Sequence, residues 1–445
     1  MIELPYIELH CHSAFSLLNG ASSPEALARQ AAALGMPALA LTDHNSLAGA
    51  VRFVAAAQEA GVQPILGAEL TLHDDAHLTL LVENDRGWRN LCALISLAQH
   101  HAPKGSARLP PDVLHAHAAG LLALSGCGKS RIASAVRTGD RAAALSAAHD
   151  LIASFGRDRC FVEVQHHLQP GDTAHVADLA ALAAHVHLPI VATNNVHYAT
   201  RRERALYDVL TCIRHHTTLD QAGSLLSANS ERYLKPGGKL APLFAAYPRA
   251  LSITTEIAAR CTFELQFGIQ DLPQFPTPPG LHAAAYLHDL CLHALPQRYD
   301  GDAVPHARTQ LDHELQVIDR MGLANYFLIV HDLVRFARDS GIRCQGRGSA
   351  ANSLVAYLLG ISPIDPLAHD LVFERFLAEG QAVLPDIDID FAADRREEVI
   401  QYVYERYGTD HAAMACTLVT FRSRSAARDI GKVVKRQLEE IAGVN

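Results

Sequence analysis

The sequence predicts an α/β protein in two parts, a barrel-like domain of successive β-α units and then a mixed α+β domain, and three observations carry that prediction. Short β-rich apolar runs alternate with alanine-rich helical stretches from Tyr6 to about Cys261; a proline-rich break follows at 272–280; beyond it, long helical stretches lead to a glycine-containing segment and a row of alternating acids. With 445 residues there is room for two or three domains, and 49% hydrophobic residues supply a core for each.

The first part yields predicted strands at 38–41, 63–66, 78–82, 121–124, 161–164 and 190–193, and helices at 24–34, 48–60, 88–99, 142–155 and 176–186. About seven such units point to a barrel, whose chemistry would sit at the C-terminal ends of its strands. The break Leu272-Pro273-Gln274-Phe275-Pro276-Thr277-Pro278-Pro279-Gly280 reads as a linker. Helices are then predicted at 283–295, 306–321 and 326–340, a charged amphipathic helix at 395–407, one more strand at 416–420 and a basic helix at 423–441. No internal repeat or low-complexity tract interrupts this order.

In Pro385-Asp386-Ile387-Asp388-Ile389-Asp390 a period of two puts three acids on one face, about 6.5 Å apart along a strand, and two isoleucines toward a core. Cations must neutralise such a row; Mg²⁺, which prefers oxygen ligands, suits it, and two such ions clamp the oxygens of a phosphoryl transfer. The alternative is a solvated edge strand whose acids deter aggregation. Asp390 could equally cap the following turn or pair with Arg395 or Arg396. Upstream, Gly346, Arg347, Gly348 and Ser349 lie between helical stretches: the glycines let backbone approach an anion, Arg347 adds charge, and a helix beginning near Ser349 would offer unpaired N–H groups to phosphate. The spacing is not that of a Walker A loop or a dinucleotide fingerprint, and a tight turn is the alternative.

Histidines, a carboxylate and a thiol fall at predicted strand ends in the first part: His10 and His12 on one face, His44, Glu69, His77, Cys127 and His197. Such ligands suit Zn²⁺, Mn²⁺ or Fe²⁺, although with 26 histidines in the chain any single one reads equally as a surface or core residue. The net charge of −9 and pI near 6.3 exclude a generally basic nucleic-acid coat while allowing a local basic patch. Nine cysteines without a Cys-x-x-Cys pair fit a reducing, cytoplasmic setting. The first residues lack the pattern of a signal peptide, and no apolar run reaches a membrane span, so no membrane partner is expected.

Taken together, residues 6 to about 200 resemble the polymerase and histidinol phosphatase (PHP) domain, and residues 280–445 resemble the palm of bacterial C-family DNA polymerases, the DNA polymerase III alpha subunit. The stretches 208–214, 331–338, 345–349 and 395–402 are similar to the error-prone, damage-associated branch. The resemblance implies a seven-stranded distorted barrel over 1–270, a linker at 271–280, an incomplete nucleotidyltransferase-like palm over 281–428 and the start of a thumb at 429–445. It places barrel metal ligands at His10, His12, His44, Glu69, His77, Cys127 and His197, with Zn²⁺ or Mn²⁺ as the ion. It makes Asp386 and Asp388 the catalytic, Mg²⁺-holding pair and Gly346, Arg347, Gly348 and Ser349 the nucleotide contacts. Primer-template DNA and a deoxynucleoside triphosphate would be the partners. Asn19 and Asn195 stand where the family pattern has aspartate, so partial metal occupancy is expected in the barrel. The family's third catalytic aspartate lies beyond residue 445, so the chain is expected not to polymerise alone unless a second polypeptide completes it. A metal-dependent phosphoesterase working from the barrel and a non-catalytic remnant are the alternatives.

Overall fold

The computed structural model describes residues 6–100, 102–103, 105–266, 273–378, 385–408, 411–415 and 417–434. It divides into two compact units, Met1–Leu265 with Thr420–Asn445, and Gln266–Val419.

The first unit is built on a curled sheet of six strands hydrogen-bonded in chain order: β1 (Ala38–Leu41), β2 (Gln63–Thr71), β3 (His77–Val82), β4 (Leu121–Leu124), β5 (Cys160–Gln165) and β6 (Ile190–Thr193). Every residue of β1 and β4 is buried, as their unbroken apolar runs require when both faces are covered. The sheet is not uniformly parallel: β3 runs antiparallel to both β2 and β4. The reason is the connection 72–76, too short for the crossover a parallel neighbour needs. The seventh strand of the expected barrel is not assigned as one. Residues 6–12 instead bridge both ends of the sheet, Glu8 to Leu39 of β1 and Cys11 to Val196 just after β6. Backbone hydrogen bonds from Ala40 N to Glu8 O (2.9 Å) and from His12 N to Val196 O (2.8 Å) hold that segment.

Helices cover the sheet, and their starts follow from the sequence. Pro24–Ala33 begins behind Ser23, whose hydroxyl accepts from Ala26 N, with proline at the first position; Arg131–Arg137 and Arg141–Phe155 are capped by Ser130 and Asp140. Fully buried Leu27 and Phe53 sit in the core beneath, each contributing about 1.5–3 kcal/mol. The helix Ser423–Val433 belongs to this unit, where Val433 packs with Cys212 and Ala222 and Leu219 N donates to Val433 O at 3.2 Å. Within it only Gly431 and Val433 are buried; residues 435–441 of the expected helix lie outside the described residues.

The second unit opens with the helices Ala283–Arg298, Ala303–Arg320 and Ala324–Asp339, close to the predicted ones. Strands β7 (Cys344–Arg347) and β8 (Asp388–Phe391) pair antiparallel, Arg347 with Asp388 and Gln345 with Asp390. The helix Arg396–Tyr407 is fastened to Ala324–Asp339 through Asp332, a buried carboxylate that accepts from Tyr402 Oη (2.7 Å), Tyr407 Oη (2.9 Å) and Arg335 Nη2 (2.8 Å). Tyr402 also stacks on Phe336 with ring centroids 3.9 Å apart. The strand expected at 416–420 does not form over 417–420, whose side chains are exposed and meet no partner strand; Cys416 lies outside the described residues. No described helix is long and apolar enough to cross a membrane.

Candidate metal centre and acidic strand pair

Glu69, near the end of β2, is the hub of the first unit's polar centre. His10 Nε2 lies 3.3 Å from Glu69 Oε1, while His44 Nδ1 (2.8 Å), His77 Nδ1 (3.1 Å) and His12 Nε2 (3.9 Å) approach Oε2. Two triads, His10-His12-Glu69 and His44-Glu69-His77, each bring their ligand atoms within 4.8 Å of one another, a geometry able to hold a divalent ion. Cys127 joins the second, its Sγ 3.5 Å from His77 Nδ1. His10 Nε2, His12 Nε2 and Glu69 Oε1 are all buried with no hydrogen-bond partner. Polar atoms left this way at the centre of a ring of potential ligands fit a metal, because burial without compensation costs each about 1–3 kcal/mol. This His/Glu cluster is consistent with divalent metal binding.

Far-side contacts orient the rings. Glu163 Oε1 meets His10 Nδ1 at 2.7 Å, Ser16 Oγ meets His12 Nδ1 at 3.1 Å and itself donates to Asp43 Oδ1, and Thr71 Oγ1 meets His44 Nε2 at 2.9 Å. These contacts leave the opposite nitrogens free to face the centre, as ring partners do behind metal-bound histidines. His197 is also drawn in, stacked on His12 at 4.7 Å, but both its nitrogens face protein groups: Nδ1 lies 2.6 Å from Asn19 O and Nε2 3.4 Å from Arg232 Nη1.

Charge in the metal-free centre is carried by protons. Burial alone would lower the His10 imidazole, but Glu163 and Glu69 outweigh it and push the group from 6.5 up to about 10. Burial likewise works against an ionised Glu69, yet the imidazoles of His10, His44 and His77 that face it hold it well below the usual carboxylate range. Because the His10 value is raised on folding, its stabilisation of the metal-free chain is full below pH 6.5 and is lost as pH rises through about 10. Metal binding must remove that proton, so apparent Zn²⁺ affinity is expected to rise up to about tenfold per pH unit across the neutral range. Calorimetry in buffers of different ionisation enthalpy checks this; no proton release at pH 7 would contradict it.

In the second unit the acids alternate as expected: Asp386 and Asp390 are exposed, Ile387 is buried and Ile389 packs against the core. Arg347, on the paired strand, lies 3.3 Å from Asp388 and 3.1 Å from Asp390, so Asp390 pairs with it and not with Arg395, which binds Glu398 at 2.7 Å. The glycine segment differs from the expected cradle. Gly346 is inside β7, where a Cβ would come within 2.4 Å of Ile361 O, so it is kept small by its own protein's backbone. Gly348 has φ +72°, which the turn out of the strand needs. Ser349 sits in a 3₁₀ turn, Gly348–Asn352, and the next α-helix is only Leu354–Leu358. That helix's N-terminal amides are already taken: the buried Glu314 carboxylate accepts from Leu354 N (2.9 Å) and Val355 N (3.0 Å) and from Ser353 Oγ (2.8 Å). No amide is left there for a phosphate.

Comparison with known proteins agrees with this layout. Residues 8–167 match the PHP domain, and residues 285–444 match the bacterial DNA polymerase III alpha NTPase domain. The error-prone DNA polymerase of Symbiobacterium thermophilum is 45% identical over 447 residues, spanning 97% of this chain and 41% of that protein. The chain matches the N-terminal portion of the error-prone DNA polymerases. The error-prone DNA polymerases of Mycobacterium tuberculosis and Methylococcus capsulatus are each 42% identical, over 96% and 97% of this chain. In each case the chain spans about 40% of the error-prone polymerase's length. A solved amidohydrolase from Chromobacterium violaceum aligns at a TM-score of 0.30 and 18% identity over 43% of this chain and 88% of that one, too distant to carry an argument.

Two groups at the centre of this error-prone polymerase relative escape sequence reading. Glu163 lies in the strand Cys160–Gln165, fully buried, accepting from Gln165 Nε2 at 2.7 Å and from Thr193 Oγ1. Asp43 is buried and accepts from Ser13 and Ser16. A lone acid inside an apolar strand is the signal that marks Glu163, since acids are rarely buried without partners.

Proposed function

We propose that the chain forms the N-terminal part of an error-prone DNA polymerase acting in DNA replication and repair, transferring deoxynucleotides to a primer on damaged templates. In this reading 1–270 is the PHP domain, 281–428 the beginning of a palm and 429–445 the start of a thumb. Asp386 and Asp388 hold Mg²⁺, Arg347 with Gly346, Gly348 and Ser349 meets the nucleotide phosphates, and primer-template DNA and a second stretch of polypeptide complete the site. The observation that carries it is the register of the strand pair: Arg347 opposite Asp388 puts a fixed cation and oxygen ligands one strand apart on an exposed face. The donor set fits, being hard carboxylate oxygens, exposed or half-buried. When bound, Mg²⁺ would neutralise phosphate charge and lower the pKa of the attacking hydroxyl. Arg347 would then exchange its carboxylate partners for phosphate oxygens, and Gly346, pressed on Ile361, fixes the strand that carries it.

Primer extension is expected to fall at least about a hundredfold in Asp386→Ala or Asp388→Ala, measured with the chain supplemented by the remainder of the polymerase, with circular dichroism unchanged because both side chains are at the surface. Extension that survives both substitutions would refute the reading.

A second reading is favoured by one observation, the convergence of the unpartnered His10 Nε2, His12 Nε2 and Glu69 Oε1. It assigns metal-dependent phosphoester hydrolysis to the first unit, with Zn²⁺ or Mn²⁺ on His10, His12, His44, Glu69 and His77 beside Cys127. Release of phosphate from p-nitrophenyl phosphate by the Mn²⁺-treated chain tests it; release no faster than with Mn²⁺ alone rejects it.

A further inference from the structure

We propose that Tyr326 is a positioning residue for the acid pair, its hydroxyl fixing the backbone between Asp386 and Asp388 so that the two carboxylates are held ready for a divalent cation. The inference rests on reading those acids as the Mg²⁺ site. The ladder between β7 and β8 ends at Arg347 and Asp388, so Ile387 and Asp386 stand one and two residues beyond it. Their backbone is held in another way. Ile387 N donates to Tyr326 Oη at 3.2 Å, and Tyr326 belongs to the first turn of the helix Ala324–Asp339. The Ile387 side chain is buried in the core of the same unit, and Pro385, which has no N–H to offer, is buried on the other side of Asp386. Asp386 is thus an exposed carboxylate carried between two anchored neighbours, and the hydrogen bond at Ile387 takes the place of the missing ladder.

The hydroxyl is what a phenylalanine could not supply. The Tyr326 ring packs against the core half-buried, beside the wholly buried Phe327, and that packing needs no oxygen. Burial first, and then the charges of Asp386 and Asp388, push the phenol up, which marks the hydroxyl as a near neighbour of both acids. Arg347 also reaches the acid face, 3.3 Å from Asp388, but its permanent charge competes with a cation for the carboxylate. A neutral hydroxyl bonded to the backbone holds the same segment without that competition. Holding Asp386 in place before the ion arrives spares binding the cost of ordering it.

Tyr326→Phe keeps the ring and removes the hydroxyl, so circular dichroism should not change. The test is Mn²⁺ binding to the full chain, read by electron paramagnetic resonance, with the ion lost in Asp386→Ala identifying the acid pair. Affinity for that ion is expected to fall about threefold to tenfold in Tyr326→Phe, the effect of one hydrogen bond. The Ile387 amide should exchange with deuterium faster by a similar factor, read by mass spectrometry on peptides that isolate it. With the remainder of the polymerase added, the Mg²⁺ concentration for half-maximal primer extension should rise in step, and excess Mg²⁺ should restore the rate, which a general loss of structure would not allow. Unchanged Mn²⁺ affinity in Tyr326→Phe would overturn the inference and leave the reading of the acids intact. Weaker binding without faster exchange at Ile387 would overturn it too, since the hydroxyl would then act other than through that amide. If Asp386→Ala loses no Mn²⁺, both the inference and the reading of the acids fail.

Discussion

Glu69→Gln is expected to empty both triads at once, with Zn²⁺ affinity falling more than about a hundredfold and no metal retained after dialysis. Each triad depends on this one carboxylate, and an amide keeps the shape while removing the negative charge that would offset two cations. The substitution also changes the metal-free chain, because His10 keeps Glu163 but loses Glu69, and His44 and His77 lose the carboxylate they face. Thermal unfolding of wild type should therefore shift upward with Zn²⁺ and return with chelator, whereas the variant should be indifferent to both. A variant that still binds one ion with wild-type affinity would mean that the triads do not share their carboxylate.

Asp332→Ala is expected to cost about 3–5 kcal/mol in the stability of the second unit, the range for removing one partner from a buried ionic network. Two tyrosine hydroxyls and the guanidinium of Arg335 lose their acceptor together, and Arg406, 3.6 Å away, loses its counter-charge. Asp332→Asn keeps one acceptor oxygen and should cost less. Hydrogen exchange across Arg396–Tyr407 is the measurement: protection should collapse there first, since Asp332 is what ties that helix to Ala324–Asp339. Unchanged protection in the alanine variant would show that the Phe336–Tyr402 stack alone suffices.

Much of the fold was legible because each strand is a short apolar run closed by turn residues, and the runs at 38–41, 121–124 and 190–193 coincide with observed strands. The antiparallel turn at β3 was not, because periodicity reports that a segment is a strand and carries nothing about which way its neighbour runs. In the centre, the residues at strand ends were legible by chemical type, and His10, His12, His44, Glu69 and His77 do converge. Glu163 was hidden in a strand read only for its apolar neighbours. The glycine segment carries a local reading beside the proposed one. Gly346 and Gly348 have local reasons to be glycine, a carbonyl at close range and a left-handed turn, that resemble the signature of an anion loop when only the letters are seen. No spacing rule could have foreseen that Glu314, from a helix earlier in the chain, fills the amide cluster the loop was thought to offer.

The short segment 6–12 touches both ends of the sheet and carries two of the histidines, and this orders events in time. Glu8 receives the amide of Asn194 from 186 residues along the chain, so His10 and His12 reach their places only when the most distant strand has arrived. Contacts that close such long loops form slowly. The ion would therefore be captured late, as the fold of the first unit is finished, and the rate at which refolding chain takes up Zn²⁺ would clock the joining of the two ends of the sheet.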